Sequence, residues 1–174
     1  MSIVMVGATS GSITLQEPAV AGTTVLTLPA VTGTVLTDTS PKAGNVIQVV
    51  SNTTNAQVST SSTSFVSATL AVSITPSSTS NKVFVIVTST SQGSTTNSMY
   101  YTIYRGASNL GGSIGMTLFS NGNGNAFPLA MSYLDSPSTT SSTTYTVYFR
   151  TSTGSVFFGE SNTVTSITAM EIAG

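Results

Sequence analysis

The chain has 174 residues, 39% hydrophobic and only 5% charged, with net charge −1, no His and no Cys. Four scattered cations, Lys42, Lys82, Arg105 and Arg150, do not form the basic cluster that nucleic acid or an anionic membrane surface requires. The absence of His and Cys rules out Ser-His-Asp and Cys-His catalysis, His- or Cys-ligated metal and disulfide stapling.

Ser and Thr occupy roughly a third of the positions. Val and Ile occur throughout, with seven Phe and six Tyr, so the bias reads as strands with a hydroxyl-bearing solvent face rather than disorder. No apolar run approaches the ~18 residues of a membrane span. Met1 to Gly7 has neither a cationic start nor a long apolar stretch, so no signal peptide is expected.

In chain order the first feature is a repeat. Gly11, Gly22 and Gly33 are evenly spaced, each followed by Ser or Thr, and Pro18 and Pro29 each open Pro-Ala-Val. The unit is G-[ST]-x-x-L-x-x-P-A-V-x. Pro inside each complete unit costs ~3 kcal/mol in a helix, and Thr, Val, Ile and Leu between the glycines suit strands. Each unit is therefore expected to be a strand of about six residues closed by a turn, with Gly11, Gly22 and Gly33 at the turns and Pro18 and Pro29 ending strands. So short a meander cannot bury its own core. With neither disulfide nor metal available, association of several identical chains into a stem is expected, the alternative being a plain β-meander lying on the following domain.

Asp38 to Asn45 is turn-rich, which divides the chain into a stem, residues 1–42, and a larger domain, residues 43–174. Strands are predicted at Val46–Val50, Ala56–Thr60 and Phe65–Thr75, the last with Leu70, Val72 and Ile74 on one face. In Lys82–Thr90, Val83, Val85 and Val87 share one face and Phe84 and Ile86 the other. Apolar residues on both faces suit a strand between two layers of its own domain, or one at a subunit contact. Further strands are predicted at Met99–Arg105, Ile114–Phe119, Ala126–Leu134, Thr144–Thr151, Ser155–Phe158 and Thr163–Ile172. The apolar ending implies a last strand tied into a sheet. Eight to eleven short strands without a helix indicate an all-β sandwich or jelly roll.

No catalytic, cofactor or metal constellation is predicted. The five carboxylates are dispersed in sequence, which leaves a glycosidase pair as the least favoured reading. Candidate contact residues lie in three polar loops, with Gln92 and Asn97 in the first, Asn121, Asn123 and Asn125 in the second, and Asp135 opening the third. Phe119 and Phe127 flank the second. Hydroxyls, amides and two rings suit a neutral glycan or a protein surface, and a free carbohydrate-binding module is one reading of them.

The N-terminal stretches Gly11–Leu15, Pro18–Thr23, Leu26–Ala30 and Thr32–Thr34 resemble the N-terminal repeat of virion appendage proteins of tailed bacteriophages. Val72–Pro76, Tyr104–Gly106, Leu134–Pro137, Thr144–Val147 and Ile167–Gly174 are similar to their C-terminal domain. The resemblance implies a non-enzymatic, trimeric protein on the virion exterior. Its stem would engage other virion proteins, and its knob would meet a host-surface glycan or protein. Fibres of this kind often carry an anchoring domain before the repeat, which here begins near residue 7. The resemblance thus implies either that the stem is the anchor or that this is a small capsid-surface decoration protein.

Overall fold

The computed structural model describes residues 2–6, 9–16, 41–94, 96–120 and 124–174. Two compact units form, Met1–Val35 and Leu36–Gly174, so the turn-rich stretch at 38–45 falls within the second.

In the first unit, β1 (Ser2–Val6) and β2 (Ser12–Gln16) form an antiparallel hairpin in which Val4 faces Thr14. Gly11 has φ +82° just before β2, a conformation that glycine adopts without steric cost. The first repeat unit thus begins with a glycine turn and a five-residue strand. Pro18, Gly22, Pro29 and Gly33 lie outside the described residues.

The second unit is an all-β sandwich of eleven strands, with no helix among the described residues. They are β3 (Val46–Thr54), β4 (Val58–Thr60), β5 (Val66–Ile74), β6 (Lys82–Gly93), β7 (Ser98–Arg105), β8 (Ser108–Asn109), β9 (Thr117–Ser120), β10 (Ala126–Asp135), β11 (Thr143–Thr151), β12 (Val156–Phe158) and β13 (Thr165–Ile172). One sheet has the order β3-β13-β6-β12-β4, with β10 also paired to β6; the other has β5-β11-β7-β8, with β9 also on β7. Every pairing is antiparallel.

Period-2 alternation builds the core. Val83, Val85 and Val87 of β6 and Ile167 and Ala169 of β13 meet Met99, Tyr101 and Ile103 of β7 and Tyr145, Val147 and Phe149 of β11, all fully buried. Tyr101 and Phe149 stack with centroids 6.2 Å apart, and Phe158 tilts against both. Tyr101's hydroxyl bonds the Ser91 hydroxyl at 2.6 Å and donates to the Phe157 carbonyl at 2.9 Å. The predicted last strand, β13, lies between β3 and β6.

On the edge strand β5, Thr69 has φ +63° and the register with β11 shifts between Thr146 and Tyr148. A positive φ at a β-branched residue is rare. Ala68 and Leu70 keep the ordinary alternation and are both buried, while the irregularity disrupts an otherwise open edge, which disfavours strand addition there.

Candidate functional site

Two buried carboxylates lie on the inward face of the first sheet, one on each side of Val83: Asp135 and Glu171 both pair with it in register. Asp135 takes the Arg105 guanidinium on both oxygens, at 2.8 and 2.9 Å, and the Tyr145 hydroxyl at 2.6 Å. The triad joins β10 to β7 and β11 across the sandwich. Burial, then the bond to Asp135 and its charge, push the Tyr145 phenol far above its usual range, with Arg105 opposing.

Glu171 is held by neutral donors. Its Oε1 accepts from the Ser77 backbone N–H at 2.6 Å, the Ser77 hydroxyl at 2.8 Å and the Asn81 amide at 2.5 Å. Its Oε2 accepts from the Gln48 amide at 2.5 Å. Burial alone would raise its pKa, but the bonds from Gln48, Asn81 and Ser77 outweigh it and keep the carboxyl below its ordinary value. The cluster fixes the 75–81 turn, β3 and the chain end, where Gly174 N–H donates to Asn81 Oδ1 at 3.1 Å.

Three candidate contact residues are corrected by their placement. Asp135 is the last residue of β10, only 5% exposed, and is committed to Arg105 and Tyr145. Asn97 is 4% exposed, and its amide donates to Thr151 Oγ1, Thr153 O and Ser155 O at 2.9–3.2 Å. Gln92 lies in β6, which runs on to Gly93 because β10 and β12 flank it there. Its amide donates to the Gly124 carbonyl at 2.9 Å. The Asp135 carboxylate and the amide N–H groups of Asn97 and Gln92 each hold a neighbouring segment.

Phe119 and Phe127 stack at 5.5 Å, half-buried, and Phe119 also meets Tyr101 edge-on. They form a corner post between β9 and β10. The Gly124 N–H donates to the Gly93 carbonyl at 2.6 Å. Asn125 is exposed; Asn121 and Asn123 lie outside the described residues. The 136–142 loop is largely exposed.

The outer faces of the sheets carry what loop composition does not reveal. On the first sheet, Val49, Met170, Phe84 and Leu134 stand in one registered row across β3, β13, β6 and β10. Val49 is 56% and Leu134 49% exposed, and Phe84 and Met170 are half-exposed. The rows on either side are Val46–Ile172–Lys82 and Ser51–Thr168–Ile86–Ser132, and beyond the latter comes Thr53–Ser166–Thr88–Ala130. The face therefore grades from apolar to hydroxyl-bearing. Phe84, Ile86, Ala130, Met131 and Ser132 line an open, mostly apolar depression of about 300 Å³. β6 is a central strand of its sheet, between β13 on one side and β10 and β12 on the other, and its outward Phe84 and Ile86 are half-exposed.

On the second sheet the Arg150 guanidinium lies 3.8 Å from the Tyr100 ring and 5.0 Å from Phe65. Phe65 meets Tyr104 edge-on, and Tyr104 stacks on Tyr148 at 4.0 Å. Arg150 also donates to the Thr63 and Ser113 carbonyls at 3.5 and 3.3 Å. The ring faces are thus occupied by one another and by Arg150, a satellite cluster that pins two loops over this sheet.

No protein-family model and no curated protein matches the chain. Among solved structures it is similar to a chain of the structure of infectious bursal disease virus Gx strain, with a TM-score of 0.33 and 16% identity. The match covers 94% of this chain and 38% of that one. A likeness this weak carries no argument about function.

Proposed function

We propose that the protein is a non-enzymatic structural component on the exterior of a tailed-phage virion. It is a small trimeric fibre or knob, held by its N-terminal repeat and presenting its sandwich outward for host-surface binding. The sequence resemblance supports this reading. The observation that carries it is the apolar row Val49–Met170–Phe84–Leu134, uncharged and half-exposed on the first sheet. Surface apolar residues scattered singly are ordinary, but a contiguous band rimmed by polar residues marks a contact surface. The buried carboxylates support the same reading, because Asp135 and Glu171 are engaged in fastening strands and turns.

Host contact falls to the exposed 136–142 loop and Asn125, with hydroxyl and amide groups and no charged side chain. Such contact should depend only weakly on salt, since few ions are displaced.

The test is a deletion of residues 1–42. The buried core and the residues packed against it lie between Val50 and Ala173, so the remainder should keep its strand signal by circular dichroism and its cooperative melt. Particles carrying only the truncated protein should lose it on purification and adsorb poorly to host cells. Normal adsorption with fragile capsids would replace the fibre reading with capsid decoration.

A further inference from the structure

We infer that the outer face of the first sheet, centred on Val49, Met170, Phe84 and Leu134, is the surface through which copies of this chain pack on one another. The inference rests on the oligomeric reading above and names the face that makes the contact.

Three features carry it. The first is anatomy: an apolar band with a Ser/Thr margin has the apolar centre and polar rim of a protein–protein interface. The second is size. Four strands at ~4.8 Å spacing and eight residues at ~3.4 Å rise span roughly 500 Å² in projection. Side-chain relief enlarges the accessible area toward the ~800 Å² that each partner of a stable interface contributes.

The third is charge. Lys82 is the only charged residue on the registered rows, and it sits at their margin beside Ile172. A partner of opposite charge would find nothing to pair with here, whereas an identical neutral face meets its copy without like-charge repulsion.

The faces differ in kind, which decides between them. Rings on the second sheet are already engaged with one another and with Arg150. The apolar side chains on the first sheet, Phe84 among them, have exposed surface to bury, and burial of apolar area drives association.

The test uses the full chain at micromolar concentration. Light scattering after size exclusion should report a trimer for the wild type. The double variant Val49→Asp, Leu134→Asp changes two side chains that are about half exposed, so it should fold with an unchanged strand spectrum. Its association should weaken at least 10-fold, to monomer at the same concentration. Val164→Asp, at a 74% exposed site in the 159–164 loop, should leave the trimer intact. A second measurement does not depend on how the Asp variant folds. In a chain without cysteine, Val49→Cys should react with a maleimide at least 10-fold more slowly than Val164→Cys. A monomeric wild type would overturn the oligomer and this inference together. An oligomer that survives the double Asp substitution, or equal labelling of the two thiols, would overturn this inference alone and leave the oligomer standing.

Discussion

Replacing Glu171 with Gln tests whether a buried carboxylate with only neutral donors around it stabilises the sandwich. Hydrogen bonds to a charged group contribute about 1.5–3 kcal/mol each, and those between neutral groups about 0.5–1.5 kcal/mol. The Gln oxygen can retain the bonds from Ser77 N–H, the Ser77 hydroxyl and the Asn81 amide at neutral strength. The new amide nitrogen then faces the Gln48 amide nitrogen, donor against donor, where Oε2 had accepted at 2.5 Å. Removing the charge also relieves the several kcal/mol that its burial costs. The expected net loss is about 2 kcal/mol, or a melting temperature lower by about 8 °C for a domain of this size.

The pH dependence separates this account from simple misfit. The folded pKa of Glu171 is depressed below its ordinary 4.5. Its contribution is therefore present above pH 4.5 and lost as pH falls through the folded value. Denaturant melts from pH 7 down to pH 2 should show the wild type losing this increment while the Gln variant does not, so that the two curves converge in acid. Equal stability of the two proteins at pH 7, or an undiminished acid slope in the variant, would refute the reasoning. Because the chain has no His, stability between pH 5 and 8 should be nearly flat.

At the alkaline end, burial raises the phenols of Tyr101 and Tyr145 far above their ordinary 10.0. Their stabilising contribution is full below pH 10 and lost as pH climbs beyond it. Ionisation absorbance at 295 nm from these two should appear together with loss of the near-ultraviolet dichroism, and Phe at either site should flatten the alkaline decline. Gly115→Ala should cost at least ~2 kcal/mol in urea melts, because φ is +93° and a Cβ would lie 2.6 Å from the Tyr101 carbonyl oxygen. Gly106→Ala, at φ +55° with nothing within 4 Å, should cost only about 1–2 kcal/mol, the penalty of the left-handed backbone by itself.

The all-β class, most strand positions and the inward set were legible in the sequence, because each rests on local alternation. Tyr145, Val147 and Phe149 occur every second residue and are all fully buried, as are Val83, Val85 and Val87. Tertiary structure decided which polar residues are free. Asn97 and Asp135 have the composition of exposed loops, yet their partners Thr151 and Arg105 lie 54 and 30 residues away. Gln92 belongs to a strand only because β10 and β12 arrive beside it. Alternation likewise tells which residues of one strand share a face, but not which strands are neighbours. Val49, Phe84, Leu134 and Met170 span 121 residues of sequence (170 − 49 = 121) and become one row only through the strand order β3-β13-β6 with β10 alongside. Strand order is set by how the whole core closes, and no local window of sequence contains it.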